Sequence, residues 1–451
     1  MNVDILIHAE WIAQVDAEDR ILSRHSLAVT KGRIQALLPT YEAKTQIQAD
    51  EEIDLPDHLL IPGLINAHTH AAMALLRGLA DDLPLMIWLN EHIWPAEARW
   101  VGEEFVRDGT RLALLEMLRG GTTCFNDMYF FPDVTARAAA AAGLRASAGM
   151  ILIDFPSAWA ENPEEYLHKG LELHDRFRDH PLIHTAFAPH APYSVSDAPL
   201  RRIATLAEEL DARIHIHVHE TRDEITQSLR EHGKRPLQRL DELGLVSPRL
   251  LAVHMTQLED PEIALIAAQG VHVLHCPESN LKLASGTCPV ASRLLPAGVN
   301  CALGTDGAAS NNDLDMLGEM RSAALLAKGA GASASALPAR QALRMATING
   351  ARALGLNDET GSLEVGKSAD FVAVDLARPE TQPVYNPVSQ LVYACSREQV
   401  NHVWVAGRQL LKNRQALTLD QDDILARARE WGARIRGRDA ERRGAGQSNK
   451  E

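Results

Sequence analysis

The chain has 451 residues, of which 46% are hydrophobic and 23% are charged, so it can bury a large core and is not a disordered chain. Its formal net charge of −15 argues against a nucleic-acid partner. The five cysteines are widely spaced without a C-x-x-C pair, which argues against a disulfide framework and favours a cytoplasmic location. We expect no signal peptide and, because no run of about 20 apolar residues occurs, no membrane span.

Residues 1–60 predict a small β unit. The predicted strands are residues 4–8, 26–30, 33–37 and 51–55, and Lys31-Gly32 predicts the turn between the second and the third. Strand-like patterns return at residues 361–375 and 400–411, near the other end of the chain. The economical interpretation is that both chain ends build one β domain.

From residue 61 onward, short β-rich runs alternate with longer helical patterns, which is typical of a parallel sheet built from β-α units. The eight candidate strands are residues 60–67, 122–128, 144–151, 183–189, 213–219, 250–254, 271–276 and 300–305. Eight such units over roughly 300 residues favour a closed (β/α)8 barrel over an open doubly wound sheet. The predicted domains are therefore residues 1–60 (β), 61–360 (barrel) and 361–420 (β), followed by a C-terminal helix and mobile tail at 421–451.

His68 and His70 lie at the end of the first predicted barrel strand. Residues at i and i+2 of an extended chain lie on the same side, so both imidazoles can reach one cation. An isolated H-x-H pair more often belongs to the surface or to a hydrogen-bonded core. Barrel enzymes assemble their sites at the C-terminal ends of the strands, and this position favours metal binding here.

The fifth predicted strand places His215, His217 and His219 on one face, because side chains alternate along a strand. Three buried imidazoles are costly unless at least one is bound, and we assume that His215 and His219 are held structurally. Glu220 follows directly. A carboxylate beside a metal-activated water is the usual proton carrier in such hydrolyses.

His254 ends the sixth predicted strand, and Asp306 follows the eighth. Either residue alone is more often structural, but both reach the same barrel face as the histidines above. Three or four N and O ligands with one open position predict a catalytic metal site. The fourth strand ends in Pro189-His190-Ala191-Pro192, without a lysine that could bridge two metals, so one metal is preferred.

Together these motifs resemble the amidohydrolase superfamily. They are residues 62–70 (PGLINAHTH), His217 with His254, residues 304–307 (GTDG) and residues 361–370 (GSLEVGKSAD). The resemblance covers residues 4–410. It implies a metal-dependent hydrolase with a distorted (β/α)8 TIM-like barrel and a composite β-sandwich domain built from both chain ends.

Further motifs resemble the 5-methylthioadenosine/S-adenosylhomocysteine deaminases in particular. They are residues 75–82 (LLRGLADD), 126–130 (NDMYF), 188–193 (APHAPY), 217–221 (HVHET) and 275–283 (HCPESNLKL). The resemblance implies metal ligands at His68, His70, His217 and Asp306, catalytic residues at Glu220, His254 and Asp306, and substrate contacts at Trp88, Glu97, Arg145, His190, Glu220 and Asp306.

Some of these implied contacts have a chemical rationale. Glu97 could accept hydrogen bonds from both ribose hydroxyls. The alternative is that Glu97 is an ordinary solvent-exposed glutamate in a loop. Arg145 matches an arginine near the ribose and amino-acid end of the substrate. A second arginine of some relatives has no match at residues 151–159, which leaves acceptance of the homocysteine carboxylate open. We assign no role to Ser279 and Asn280.

The predicted function is hydrolytic deamination of the adenine ring of 5′-methylthioadenosine, S-adenosylhomocysteine or adenosine. Glu220 would protonate ring N1, while His254 and Asp306 would orient the attacking water. One alternative is a deaminase or chlorohydrolase acting on another N-heterocycle, such as guanine or an s-triazine. Another alternative is a non-catalytic protein of the same fold. Such proteins usually lack one or more metal ligands, whereas all of the predicted ligands are present in this sequence.

One divalent metal per chain is expected, with Zn2+ favoured and Fe2+, Mn2+ and Ni2+ left open, because affinity order alone does not choose among them. The expected partner is a small nucleoside, with neither nucleic acid nor membrane. We also expect a homo-oligomer, although no particular feature of the sequence indicates one.

Overall fold

The computed structural model describes residues 1–447, with side chains described through residue 437. The described chain forms two eight-stranded sheets. In chain order the strands are β1 (Asn2–Ala13), β2 (Ile21–Thr30), β3 (Arg33–Pro39), β4 (Gln48–Pro62), β5 (Leu64–Thr69), β6 (Thr122–Asp127), β7 (Arg145–Leu152), β8 (Ile183–Pro189), β9 (Arg213–Val218), β10 (Leu250–His254), β11 (His272–His275), β12 (Asn300–Leu303), β13 (Phe371–Asp375), β14 (Val400–Val405), β15 (Arg408–Lys412) and β16 (Gln415–Ala416).

The first sheet has the strand order β16-β15-β14-β13-β4-β1-β2-β3 and so joins both chain ends. Strands β1 and β4 pair in parallel, and β13 pairs with β4 antiparallel. The predicted composite β layer is therefore confirmed. The strand predicted at residues 361–375 is wrong in its first part, because Gly361 and Gly366 adopt positive φ angles of 92° and 93° that turn the backbone, and β13 begins only at Phe371.

The second sheet is the predicted barrel, in which β5 to β12 lie side by side in chain order and every strand pair is parallel. Its seam lies between β5 and the segment after β12. There the Asp306 backbone N–H donates to the His68 carbonyl oxygen at 3.0 Å. Asn66 completes the seam, since its Nδ2 donates to Thr305 Oγ1 at 2.7 Å and its Oδ1 accepts from the Thr305 N–H at 3.0 Å. The first and last barrel strands thus meet at the end that carries His68.

The chain passes from the first sheet to the barrel at Gly63. The sequence predicts one strand at residues 60–67, but the structure divides it between β4 and β5. A Cβ atom at Gly63 would lie 2.0 Å from Thr123 Oγ1, so only glycine allows the two sheets to approach this closely. The domain boundaries proposed from the sequence stay predictions.

Most of the helices lie on the outside of the barrel or in the connections at its ends, whereas α1 packs against β2 and β3 of the first sheet. They are α1 (Thr40–Gln46), α2 (Leu85–Ile87), α3 (Trp94–Trp100), α4 (Glu103–Arg119), α5 (Pro132–Ala142), α6 (Pro163–Phe177), α7 (Asp197–Glu209), α8 (Arg222–His232), α9 (Pro236–Glu242), α10 (Asp260–Ala268), α11 (Pro277–Lys282), α12 (Ala308–Asn311), α13 (Met316–Gly331), α14 (Ala339–Met345), α15 (Ile348–Leu354), α16 (Pro387–Tyr393) and α17 (Gln421–Gln447). Short 3-10 segments occupy Ala71–Leu76, Pro379–Thr381 and Arg397–Gln399, and π-helical segments occupy Trp88–Ile93 and Val290–Leu294.

The C-terminal helix α17 packs on the outside of the barrel. Trp431 is buried against Phe105 of α4, and its Nε1 donates to Asp108 Oδ2 at 3.0 Å. The predicted C-terminal helix is present, while residues 448–451 of the predicted mobile tail lie outside the described part of the chain. Among the described helices, none is long and apolar enough to cross a membrane.

Candidate active site

Four side chains from three regions of the chain meet at the C-terminal end of the barrel. His68 lies in β5, His70 follows that strand, His217 lies in β9 and Asp306 follows β12. One ligand atom of each lies within 4.8 Å of the ligand atoms of the other three. We call these residues the metal-site cluster. The structure therefore brings together the four metal ligands that the sequence predicts.

The outer nitrogen of each imidazole in the cluster contacts a fixed neighbour. His70 Nδ1 lies 2.5 Å from the Met128 carbonyl oxygen, and His217 Nδ1 lies 2.8 Å from the His190 carbonyl oxygen. His68 Nδ1 lies 2.8 Å from His215 Nε2. Such outer contacts orient the rings of metal-binding histidines and set which nitrogen is free.

The inner nitrogens face one another and Asp306. His70 Nε2 lies 3.3 Å from His217 Nε2 and 3.2 Å from Asp306 Oδ1. His68 Nε2 is buried and makes no hydrogen bond among the described residues, although it lies 3.3 Å from Asp306 Oδ1. An unpaired buried nitrogen is costly unless something binds it. Three nitrogens and one oxygen suit a divalent transition metal, so the cluster could hold one such ion.

The protonation of the cluster differs among its histidines, because burial would lower the pKa of His70 but the contacts with Asp306 and the Met128 carbonyl oxygen outweigh burial and raise that pKa above its usual value. Burial lowers the pKa of His68 and holds the pKa of His217 well below its usual range, so these imidazoles are in the neutral form that binds metals. Burial alone would raise the pKa of Asp306, but its contacts with His68 and His70 outweigh burial and hold that pKa well below the usual range. Asp306 is consequently an ionised carboxylate.

Glu220 lies just beyond β9 and is buried beside the cluster. Burial and the nearby Asp306 carboxylate raise the pKa of Glu220 well above its usual range, so this residue is a protonated acid near neutral pH. Its position is fixed by Glu224, whose carboxylate accepts the Glu220 N–H at 2.7 Å and the His219 N–H at 2.9 Å. Sequence reasoning missed Glu224. The signal was the capping pair at the start of α8, where Thr221 Oγ1 accepts the Glu224 N–H at 3.2 Å.

His254 ends β10 with its Nε2 atom 3.7 Å from Glu220 Oε2. Burial lowers the pKa of His254 to about 3, so the ring is neutral. The backbone is left-handed at this strand end and at two others, with φ angles of 74° at His254, 62° at Asp306 and 56° at His219. Non-glycine residues held in this region are strained and concentrate at functional sites.

The site opens into one cavity of about 460 Å³. Five residues at its inner end come from the predicted metal and catalytic sets: His70, His217, Glu220, His254 and Asp306. His68 lies behind them, fully buried. The outer walls are mostly apolar and include Leu85, Leu89, Ile93, Trp94 and Phe155. The cavity thus combines a polar inner end with an apolar chamber, as small-molecule sites commonly do.

Besides Glu220 and Asp306, three more of the predicted substrate contacts line this cavity: Trp88, Glu97 and His190. Trp88 is fixed by its Nε1, which donates to the Ala80 carbonyl oxygen at 3.1 Å, and His190 Nδ1 lies 2.9 Å from Ser194 Oγ. Burial raises the pKa of Glu97 to about 7. The wall therefore carries a carboxyl group that titrates near neutral pH.

The structure does not bring Arg145 into the cavity, so the substrate contact predicted for it is corrected. Arg145 is the first residue of β7 and therefore lies at the opposite end of the barrel from the metal-site cluster. Its Nε donates to Asp370 Oδ2 at 3.0 Å, and its Nη atoms donate to the Pro181 carbonyl oxygen at 3.0 Å and to Ser368 Oγ at 3.2 Å. The guanidinium ties the barrel to the first sheet.

The other two histidines of the predicted fifth strand, His215 in β9 and His219 just after it, have different surroundings. His219 accepts the Leu237 N–H at its Nε2 at 3.0 Å, which matches the structural role assumed for it. His215 instead contacts the cluster: its Nε2 lies next to His68 Nδ1, and its Nδ1 lies 3.2 Å from Asn126 Nδ2.

Two further residues to which the sequence analysis assigned no role also contact the site. Ser279 Oγ lies 2.6 Å from Asp306 Oδ2, and Asn280 Nδ2 lies 3.0 Å from His254 Nδ1.

The chain is similar to known proteins along almost its whole length. Residues 59–410 match the model of the amidohydrolase family. A 5-methylthioadenosine/S-adenosylhomocysteine deaminase of Teredinibacter turnerae is 54% identical over 434 residues, which cover 96% of this chain and 98% of the relative. The same enzyme of Saccharophagus degradans is 52% identical, with coverage of 97% and 98%.

Solved structures agree with these relatives. An adenosine deaminase from Xanthomonas campestris with bound zinc superposes with a TM-score of 0.95 at 54% identity, covering 97% of this chain and 99% of that one. A zinc complex of atrazine chlorohydrolase from Arthrobacter aurescens has a TM-score of 0.89 at 26% identity, with coverage of 95% and 99%. The chain belongs to the amidohydrolase family and, within it, to the 5-methylthioadenosine/S-adenosylhomocysteine deaminases.

Proposed function

We propose that this enzyme hydrolyses the exocyclic amino group of the adenine ring of 5′-methylthioadenosine and related 5′-substituted adenosines, giving the inosine analogue and ammonia. The observation that carries the proposal is the convergence of the Glu220 and Asp306 carboxyl groups with three histidines at one end of the cavity. Glu220 is held protonated and Asp306 is held ionised, beside three histidine nitrogens. Such a pair supplies both an acid and a base.

His68, His70, His217 and Asp306 would hold the metal. When bound, a divalent ion supplies Lewis acidity that makes water a nucleophile near neutral pH. We propose Zn2+, the ion bound in the similar Xanthomonas campestris deaminase, while the donor set also accommodates Fe2+, Mn2+ and Ni2+.

The protein's own residues move the protons. The protonated Glu220 donates to adenine N1, which lets C6 accept a bond from the water oxygen. Asp306 accepts the proton that this water loses. Asp306 then returns its proton to the amino group, the C6–N6 bond breaks and ammonia leaves. The hydroxyl group left on C6 gives its proton to Glu220, which is protonated again, and C6 keeps the oxygen as a carbonyl. His254, neutral and beside Glu220, orients the water.

The predicted substrate contacts in the cavity wall would orient the nucleoside. Glu97 in its ionised form can accept hydrogen bonds from both ribose hydroxyls, with His190 as a neighbouring polar contact and Trp88 packing against the nucleoside. A site that pairs with hydroxyls strongly rejects analogues without them. This requirement favours a nucleoside over a free base such as guanine.

We further propose a preference for an apolar 5′ substituent. Among the described residues that line the cavity, none is lysine or arginine. Arg145, the predicted cationic contact, is paired with Asp370 elsewhere. A methylthio group suits the apolar chamber, whereas the carboxylate of S-adenosylhomocysteine would lose hydration without gaining a cation.

Ammonia release tests both proposals. Purified enzyme loaded with zinc is assayed against 5′-methylthioadenosine, S-adenosylhomocysteine, adenosine, guanine and an s-triazine. We expect release from adenine nucleosides, with the highest kcat/KM for 5′-methylthioadenosine. No release from any adenine nucleoside would overturn the function. A higher kcat/KM for S-adenosylhomocysteine would overturn only the preference.

A cytoplasmic location and the absence of a nucleic-acid partner belong to the same proposal. The five cysteines are all free and buried, which suits a reducing compartment, and the net charge of −15 disfavours binding to phosphate backbones. The expected homo-oligomer stays a prediction that sedimentation can test.

A further inference from the structure

We propose that the dipeptide Ser279-Asn280 is a positioning element of the active site, in which Ser279 orients the Asp306 carboxylate and Asn280 selects the tautomer of His254. This inference rests on the proposed function, because it concerns the groups that handle the attacking water. Both residues lie in α11, directly after β11, and their side chains are 0% and 1% exposed.

The place of α11 in the barrel explains how two consecutive residues serve two groups. Strand β11 lies between β10 and β12, so α11 begins between the end that carries His254 and the end that precedes Asp306. Successive residues of a helix point about 100° apart. Ser279 therefore reaches towards one neighbouring strand end and Asn280 towards the other.

Ser279 restricts the Asp306 carboxylate. The Ser279 hydroxyl donates to Asp306 Oδ2 at 2.6 Å, while Oδ1 accepts the Gly307 N–H at 2.7 Å and faces His68 and His70. Because Oδ2 is engaged by Ser279, the carboxylate cannot rotate freely and Oδ1 stays directed at the metal-site cluster. Such outer contacts typically change metal affinity by about 10-fold to 100-fold when they are removed.

Asn280 sets the proton position on His254. The amide Nδ2 donates to His254 Nδ1 at 3.0 Å, so the ring proton must lie on Nε2. That nitrogen is the one 3.7 Å from Glu220 Oε2, on the side that lines the cavity. His254 consequently presents a hydrogen-bond donor to the reacting groups instead of an acceptor.

A purely structural role explains Asn280 poorly. Its Oδ1 is buried and has no hydrogen-bond partner among the described residues. Among those residues, the side-chain amide of Asn280 forms a hydrogen bond with His254 through its Nδ2 atom. A buried unpaired oxygen destabilises the fold, typically by about 1–3 kcal/mol. The backbone needs no asparagine to hold α11, since the Asn280 N–H and C=O already pair with Cys276 and Ser285.

Ser279 is tested by zinc affinity, which does not depend on turnover. In Ser279→Ala we expect the zinc dissociation constant, measured by competition with a chromophoric chelator, to rise about 10-fold. The matched control is Ser322→Ala, which removes a hydroxyl that also holds α11, through Glu278 Oε1 at 2.6 Å, but does not contact Asp306 or His254. A dissociation constant that is unchanged in Ser279→Ala, or that rises equally in both variants, would overturn the role of Ser279.

Asn280 is tested by the tautomer itself. In 15N-histidine-labelled zinc enzyme, with the His254 signals assigned by their loss in His254→Phe, long-range 1H–15N spectra should show the proton on Nε2. In Asn280→Asp the new carboxylate accepts from Nδ1, so the proton should move to Nδ1, with kcat falling about 100-fold and KM changing little. A proton on Nδ1 in the unmodified enzyme would overturn the proposal.

These readouts separate this proposal from the proposed function. If the unmodified enzyme releases no ammonia from adenine nucleosides, the proposed function fails, while the zinc affinity and the His254 tautomer still decide whether Ser279 and Asn280 position their partners. If turnover is as proposed but both readouts are unaffected by the substitutions, only the positioning proposal fails.

Discussion

The two ends of the barrel bury charged and polar groups in opposite ways. At the N-terminal end, Arg145 pairs with Asp370, and its donors are taken by Asp370, Ser368 and a backbone carbonyl. At the C-terminal end, His68 Nε2 has no hydrogen-bond partner among the described residues, and burial together with the nearby Asp306 carboxylate raises the pKa of Glu220 well above its usual range. The barrel therefore carries an ion pair with its hydrogen bonds made at one end and a set of ligand atoms with hydrogen bonds unmade at the other.

This difference teaches which buried polar groups are structural. A buried group whose hydrogen bonds are complete within the protein has no capacity left for a ligand, whereas convergent groups left incomplete are a site for something that the protein binds. Residue type alone does not separate the two cases. An arginine is as typical of carboxylate recognition as of a structural ion pair, and only its partners decide.

The largest effect that this comparison predicts is at Glu220. In Glu220→Gln the side chain can no longer give up a proton, so kcat should fall by about 10³-fold or more. The zinc content, measured by elemental analysis, should stay near one per chain, because Glu220 is outside the metal-site cluster. Full activity in this variant would contradict the acid role, and loss of zinc would place Glu220 among the ligands.

At the other end of the barrel, Arg145→Met should damage stability and leave chemistry intact. The substitution leaves the Asp370 carboxylate buried and unpaired, and breaking such a pair typically lowers the free energy of unfolding by about 3–5 kcal/mol. Denaturant unfolding measures this loss. The ratio of kcat/KM values for 5′-methylthioadenosine and S-adenosylhomocysteine should not change. A selective loss of S-adenosylhomocysteine turnover would restore the contact predicted from the sequence.

The sequence predicts much of the fold and most of the site because both depend on periodicity and strand ends. Eight β-rich runs separated by helical patterns specify a barrel, and residues just after its strands lie at one face. This logic locates His68, His217 and Asp306 correctly. Arg145 is assigned from the family resemblance alone, and the same logic in fact opposes that assignment, because Arg145 begins its strand and lies at the other end of the barrel.

Other features could not be predicted because they depend on contacts across the barrel. Ser279 and Asn280 belong to a short helix whose neighbours in space are separated from it by 26 or 27 positions along the chain. The division of the first predicted strand at Gly63 arises from the approach of Thr123, which no local pattern encodes. The roles of these residues are determined by contacts with neighbouring strands and not by the secondary-structure propensity of their own segment.

The smallest predicted effect concerns pH and separates the cavity wall from the metal-site cluster. Because burial raises the pKa of Glu97 to about 7, the carboxylate that we propose as the acceptor for the ribose hydroxyls is lost progressively below that pH. The KM for 5′-methylthioadenosine should therefore rise as pH falls through 7, approaching about ten-fold per pH unit for one titrating group. In Glu97→Gln, KM should be higher at pH 8 and should lack this rise.

Stability provides an independent check on the same group. The folded-state pKa of Glu97 is raised from 4.5 to about 7, so the folded chain binds more protons than the unfolded chain between these values. Glu97 therefore contributes less stability as pH rises across that interval, and the glutamine variant does not titrate. The Tm of the unmodified enzyme relative to Glu97→Gln should decrease from pH 5 to pH 8. A constant difference in Tm, together with parallel KM profiles, would show that Glu97 is ionised throughout and is a solvated residue of the wall.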